Sequence, residues 1–530
     1  MATRAAKRVF CPCRWFYSTS KWSSPQQLHR WHEPDGVRTK ILVYNSLTRS
    51  KVPLVVPKSK PISWYQCGPT VYDHSHLGHA CSYVRFDVLR RIMKHHFGLA
   101  IHQVMGITDI DDKIIVKAKE LGEPASVVAQ RYEDDFLEDM ASLGVLPPDR
   151  YTRVTDYIPE IVHFIEEIVA KGYGYTASDG SVYFDTDAYG DQYGKLQFGI
   201  GQEVSDESTH SEKKCPRDFA LWKGAKPGEP LWPGPKGYMK GRPGWHIECS
   251  AMASFVFGPS LDIHTGGIDL LFPHHNNEIA QCEACHSVEQ WCNYFLHSGH
   301  LSVSQEKMSK SLGNYVTIKD FLKKYSASQF RIFCLLSSYR SGIEYTESSL
   351  KEAVSLEKKL SSFLESCGSY VRGQMVGGDI IESDLLLELS TCQRDVLSSF
   401  ADDFDTATAM KRLLRLVHIT NRQLFSDANV IAGRNPSSVA AVAGFVESQM
   451  ELLGCNLSSS QGSECMNSDV MDTVIDFRSR IRQLAKASND PLKAEVLLAC
   501  DELREKLKAQ AGITVKDSNC GATWQMKRGR

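Results

Sequence analysis

The chain has 530 residues, with 61 Lys and Arg against 63 Asp and Glu, 42% apolar residues and 23% charged residues. This length allows two to four domains around sizeable cores. A formal net charge of −2 excludes a globally basic nucleic-acid binder, so any such contact must come from local patches.

No apolar run reaches the length of a membrane span. The 16 cysteines are scattered, some inside apolar runs such as RIFCLL and VLLAC, which argues for a reducing compartment rather than a disulfide framework. Residues 1–38 contain Arg4, Lys7, Arg8, Arg14, Lys21 and Arg30, with no acid before Glu33 and no secretory apolar core. This composition predicts a transit peptide directing the chain to the mitochondrial matrix.

From ILVYNSL onward a folded chain is expected. ISWYQC predicts a strand, followed by a Gly68-Pro69 loop and a helical pattern through YVRFDVLRRIMKHHF. IHQVMGIT predicts a second strand, and IDDKIIVKAKEL opens the next helix. This alternation predicts an α/β fold with a doubly wound parallel sheet, whose first half spans residues 39–145. An insertion is expected over 146–240, with a helix in DYIPEIVHFIEEIVAKG, a hairpin in GYTASDGSVYFD and a charged loop, EVSDESTHSEKK. Sheet-like segments resume at PGWHIECSAM and SLDIHTGG, so 241–315 is read as the second half. Helical periodicity dominates from about residue 346, as in SLKEAVSLEKKLSSFLESC and ATAMKRLLRLVHITNRQLF.

Two short motifs point to a nucleotide. His76-Leu77-Gly78-His79 opens the first helix after a strand; His76 and His79 share one helical face, where free N–H groups favour phosphate. Lys307-Met308-Ser309-Lys310-Ser311 offers two cations in a small-residue loop, suited to charge developing on a polyphosphate. A third stretch, FPHHNNEIAQCEAC, is chemically ambiguous. His274 and Glu278 lie four apart and present ligands side by side, with His275 directed elsewhere and Cys282 and Cys285 further along. Ligands strung over three turns would span roughly 16 Å, whereas zinc ligands sit within about 2.3 Å of the metal. One helix therefore supplies two ligands at most, and the C-x-x-C pair reads as packing.

YQCGPTVYDHSHLGHA, GITDIDDKI, RPGWHIECSAM, LDIHTGGIDLLFPHHNNEIAQ and EKMSKSLGN together resemble the cysteinyl-tRNA synthetase family, within the class I aminoacyl-tRNA synthetases. The resemblance runs from about Tyr44 to near the C-terminus. It implies a Rossmann-type catalytic domain with a connective insertion, a stem-contact segment at 316–345, and a helical bundle with an anticodon-binding region over 346–530. It implies ATP-dependent ligation of L-cysteine to tRNA(Cys) through a cysteinyl-adenylate, in a monomer, with magnesium accompanying ATP. His76, His79, Lys307 and Lys310 become the catalytic residues, and Asp269 and Ser309 join them in binding ATP. Zinc is implied at Cys67, Cys249, His274 and Glu278, with Glu278 the candidate to yield when substrate arrives. Gly68, Thr108, Trp245, His264 and His274 are implied around the cysteine.

Asp109, Asp111 and Asp112 are read as organising a strand–helix junction. KIIVK matches an element associated in this family with pyridoxal-phosphate-dependent persulfide synthesis, which implies Lys113 and Lys117 as its lysines. Arg478, Arg480 and Arg482, with Lys506 and Lys508, are candidates for phosphate contacts. Two alternatives stay open: a ligase passing cysteine to a small amine, and an inactive RNA-binding paralogue.

Overall fold

The structure, a computed structural model, describes residues 31–197, 212–237, 240–303, 306–308, 313–375, 378–426, 434–457, 468–487, 491–511, 513–518 and 521–526. Residues 1–30, most of the charged loop, Ser309 and Lys310 lie outside them.

A hairpin of β1 (Val37–Asn45) and β2 (Ser50–Val56) precedes the catalytic domain, so the first strand begins inside the segment assigned to the transit peptide. Ahead of it, the Trp31 indole donates to Asn293 O at 2.8 Å, and the backbone of His32 pairs with the Gln290 amide. Next come β3 (Ile62–Thr70), α1 (Leu77–Arg91), β4 (Ile101–Thr108), α2 (Asp112–Leu121), α3 (Ala125–Ser142), β5 (Arg150–Arg153) and α4 (Ile158–Ala170). Ile62 to Cys67 are buried without interruption, as expected of a strand covered on both faces.

A second, antiparallel sheet is built from β6 (Gly174–Thr176), β7 (Val182–Phe184), β8 (Phe219–Gly224), β9 (Trp232–Pro233) and β10 (Lys240–Pro243), with the short α5 (Thr186–Tyr189) after β7. The chain returns through α6 (Trp245–Phe257), β11 (Leu261–Gly267), α7 (Asn276–His286) and β12 (Cys292–Ser298). The central sheet has the order β12-β11-β3-β4-β5, and every pairing in it is parallel. Strand order reverses between β3 and β11. Open α/β sheets bind ligands at such a switch point, outside the carboxyl ends of the strands.

Two expectations need correction. β5 lies within the 146–240 stretch read as insertion, yet it is the edge strand of the central sheet. Its four residues, RYTR, are too few to carry a period. PGWHIECSAM is not sheet-like; from Trp245 it forms α6. His246 to Ser254 are all buried, so no polar stripe marks the 3.6-residue period and the helix cannot be told from a strand by pattern alone.

A small sheet of β13 (Leu301–Val303), β14 (Glu306–Lys307) and β15 (Ile343–Glu344) supports one end of the second signature loop. Beyond it, Leu77 N donates to Val316 O at 3.0 Å and Ile318 N to Ser75 O at 3.3 Å, tying its other flank to the first signature. Then come α8 (Ile318–Leu322), α9 (Ala327–Leu335) and the bundle α10 (Glu347–Val371), α11 (Glu382–Ala401), α12 (Thr406–Leu424) and α13 (Pro436–Leu452). Capping boxes start α9 (Ser326, Gln329) and α10 (Thr346, Ser349).

The region ends with α14 (Ser468–Ala487), α15 (Lys493–Ala511) and a hairpin, β16 (Ile513–Ser518) and β17 (Gly521–Met526), inside a stretch read as helical. Buried Arg331 of α9 joins the domains: its guanidinium reaches Asp87 of α1 at 2.6 Å, Leu143 O after α3 at 3.0 Å and Leu453 O after α13 at 3.3 Å.

Candidate active site

Cys67 and Gly68 stand near the carboxyl end of β3, Thr108 ends β4, and His264 lies on β11. Gly68 is needed because a Cβ there would sit 2.0 Å from Gly106 O on the adjoining strand. Cys249 comes from α6. His274 and His275 lie in a five-residue turn, Leu271–His275, of wider than α-helical pitch, and Glu278 follows in the first turn of α7. Four separated segments thus converge on one buried point.

Among the described residues, Cys67, Cys249, His274 and Glu278 form one group whose ligand atoms all lie within 4.8 Å of one another. Cys67 Sγ is 3.9 Å from Cys249 Sγ and 3.9 Å from Glu278 Oε1, and His274 Nε2 is 3.0 Å from the same oxygen. A tetrahedral zinc with bonds of 2.0–2.3 Å has ligand–ligand edges of about 3.3–3.8 Å. The distances of 3.0–3.9 Å lie within a few tenths of an ångström of that range, and the donor set suits zinc. His246 Nδ1 contacts His274 Nδ1 at 2.9 Å, leaving Nε2 turned toward the cluster. Burial opposes charge on Glu278, yet His264 and His274 hold its carboxyl down to about 2. The hydrogen bond between the two thiols draws Cys249 down, while burial pushes Cys67 up.

His275 corrects the local reading. Three residues before Glu278, it shares that residue's side of the helix, its Nε2 lies 3.4 Å from Cys67 Sγ, and Cys67, His264, His275 and Glu278 form a second, overlapping group. His275 Nδ1 meets His297 Nε2 at 2.8 Å, and His297 Nδ1 meets Ser46 Oγ at 2.7 Å. No periodicity pointed to this chain, because its members come from three distant segments. Cys282 and Cys285 belong to neither group; Cys282 contacts Ser250 O and Ser254 Oγ inside the core.

Around the cluster, the Trp245 and His274 rings lie 4.4 Å apart and His264 Nε2 contacts Glu278 Oε2 at 2.9 Å. Thr108 Oγ1 donates to buried Glu248 at 3.1 Å. At the nucleotide end, His76 caps α1 by accepting from Gly78 N at 3.1 Å, and its ring stacks on that of His79 with centroids 3.8 Å apart. A Cβ on Gly78 would crowd the His76 ring at 2.8 Å. Lys307 Nζ lies 2.9 Å from Asp269 Oδ2, bringing the second signature to the end of β11. Although burial works against ionisation, Lys307 holds the Asp269 carboxyl below its ordinary value.

Of the aspartates of GITDIDDKI, Asp111 serves the strand–helix junction, while Asp109 and Asp112 reach to more distant segments. Asp111 caps α2 by accepting from Lys113 N, Asp109 accepts from Thr155 N at 3.0 Å, and Asp112 pairs with Lys223 at 2.8 Å.

The tRNA synthetases class I (C) catalytic domain matches residues 54–355. The probable mitochondrial cysteine–tRNA ligase of Xenopus tropicalis is 47% identical over 94% of this chain and 91% of its own. The chain belongs to the cysteine–tRNA ligase family. Other members include the cytoplasmic cysteine–tRNA ligase of Dictyostelium discoideum, 40% identical over 96% of this chain and 81% of its own, and the cysteine–tRNA ligase of Thermococcus onnurineus, 40% identical over 92% and 99%. In fold, Mycobacterium tuberculosis methionyl-tRNA synthetase superposes with a TM-score of 0.57 at 15% identity, covering 74% of this chain and 92% of that one. As a cysteine–tRNA ligase the chain is a class I synthetase, with a parallel catalytic sheet and a largely helical C-terminal region.

Proposed function

We propose that the chain charges tRNA(Cys) for mitochondrial translation, reading its substrate at a zinc held by Cys67, Cys249, His274 and Glu278. The observation that carries this reading is the convergence of those ligand atoms at the sheet's switch point. Zinc bound there would supply a direct bond to the substrate thiolate, which serine cannot reproduce. His76 and His79 flank the α-phosphate as the cysteine carboxylate attacks it, and Lys307 with Lys310 follows the departing pyrophosphate. Trp245, Thr108 and Gly68 wall the amino-acid side, and Asp269 serves the ribose end. The tRNA 3′ hydroxyl then attacks the adenylate carbonyl, with no enzyme nucleophile required.

Cysteine-dependent ATP–pyrophosphate exchange followed by charging of tRNA(Cys) tests this. Absent exchange would favour the inactive paralogue; exchange without charging would favour the small-amine ligase. The bundle α10–α13 and the elements beyond it support a tRNA substrate, because a small amine needs no such surface. For the mitochondrial assignment, the support is the acid-poor segment 1–30 and the naming of the Xenopus relative. A fluorescent protein carrying residues 1–30 should enter mitochondria; cytosolic fluorescence would remove this part alone.

The residues do not fit pyridoxal phosphate. Lys113 is exposed with its Nζ 5.5 Å from the Tyr72 ring centroid, and Lys117 lies 3.8 Å from Glu120. The 950 Å³ cleft beside α2 is lined by Ile115, Ala118 and Lys119, and by neither of those lysines.

A further inference from the structure

Tyr65 lies two residues before Cys67 on β3, so both side chains leave the same face of the strand. The side chain is fully buried; its hydroxyl makes no well-formed hydrogen bond among the described residues, and the Cys249 sulfur is the group placed to accept from it. Tyr65, Cys67 and Cys249 pack in one cluster, and both sulfurs are among the groups that act on the phenol. The ring meets His264 edge-on at 5.5 Å, and His264 in turn holds Glu278.

The neighbouring strand accommodates this hydroxyl. A Cβ on Gly106 of β4 would fall 2.2 Å from Tyr65 Oη, so the hydroxyl occupies the space a side chain there would take. A buried O–H whose hydrogen bond is poorly formed destabilises a fold. Phenylalanine would fill the same core without that cost. A tyrosine lodged here, with glycine opposite it, therefore points to an acceptor that matters in another state of the site.

We propose that Tyr65 is a positioning residue for the metal centre, donating its hydroxyl hydrogen bond to Cys249 Sγ when that sulfur holds the metal. This rests on the zinc reading above. Such outer donors orient a ligand and tune its donor strength, and losing one commonly weakens metal binding 10- to 100-fold. Tyr65 needs no contact with substrate, ATP or tRNA to act in this way.

The test compares wild type with Tyr65→Phe in the full chain, using zinc and cobalt(II) alone as probes. Removing a hydroxyl that lacks a well-formed hydrogen bond should leave the metal-free protein as stable as wild type or more so, by thermal melting. In the metal-loaded protein the variant should bind zinc ~10- to 100-fold more weakly in chelator competition, with a displaced thiolate-to-cobalt absorption band. Cys282→Ser, in the same core, should leave affinity and band unchanged. Equal zinc affinity and an identical cobalt band in Tyr65→Phe would overturn the proposal. Wild type that takes up no metal would overturn the zinc reading itself, a result distinct from loss in the variant alone.

Discussion

At the residue scale, four cysteines near one another in the fold separate into two chemical kinds. Cys67 and Cys249 face a histidine and a glutamate, whereas Cys282 and Cys285 belong to neither ligand group and pack in the core, Cys282 against Ser250 O and Ser254 Oγ. Cys67→Ser and Cys249→Ser should each lose bound zinc together with cysteine-dependent pyrophosphate exchange. Cys282→Ser and Cys285→Ser should retain both. Rejection of serine by wild type should reach ~10⁴–10⁵, as when a site built around one polar bond meets a near-isostere that cannot make it. Metal content by mass spectrometry, with exchange rates on both amino acids, checks all of this. Metal lost from a Cys282 or Cys285 variant and kept in Cys67→Ser would contradict it.

At the element scale, α3 braces α1 through Phe136 against Tyr83, with ring centroids 5.2 Å apart. On its buried face, burial and then the charge of Asp135 push the Asp139 carboxyl up to about 7, with Glu138 adding to the rise and Lys319 and His74 opposing it. Between about pH 4 and 7 the folded state thus keeps a proton that the unfolded chain releases. Stability should therefore fall as pH rises through that window and level off above it. Asp139→Asn removes the charge without changing shape. It should melt higher than wild type at pH 8, with the gap closing toward pH 4, in thermal scans across that range. Parallel profiles for the two proteins would show that Asp139 is ionised throughout.

At the scale of the whole molecule, a near-neutral chain must gather positive charge locally to hold tRNA. The arginines of FRSRIRQL are engaged within the fold, except that Arg480 stays largely exposed in a pair within its own helix. Arg478 is buried against Asp517 at 2.6 Å, Arg482 pairs with Asp501 at 2.8 Å, and Arg480 with Asp476 at 3.0 Å. A 520 Å³ cleft between α10, α12 and the C-terminal hairpin instead presents Lys358, Lys359 and Lys516 beside Phe425, whose ring is half exposed. Lysines with an aromatic platform suit single-stranded RNA. Lys358→Ala combined with Lys359→Ala should weaken tRNA binding and reduce its salt dependence by ~1–2 in log–log slope. Pyrophosphate exchange should not change. Filter binding over a salt series measures the first and exchange the second; unaltered tRNA affinity would exclude the cleft from the interface.

Local sequence was enough for what depends on local order. ISWYQC and IHQVMGIT were legible as strands because buried parallel strands are short apolar runs, and α1, α2 and α4 because their periods or caps are strong. The two signatures and the separated group of Cys67, Cys249, His274 and Glu278 were legible through resemblance, since those residue types recur in fixed motifs. Tertiary structure decided the rest. α6 is buried from His246 to Ser254 and so carries no stripe, β5 is an edge of four residues, and the C-terminal hairpin packs on α14 and α15. The approach of His275 to Cys67 follows from β3 and the start of α7 meeting in the fold, and the lodging of the Tyr65 hydroxyl from a glycine on the next strand. Sequence spacing describes neighbours along one element, while a site at a sheet's switch point is made of neighbours across several.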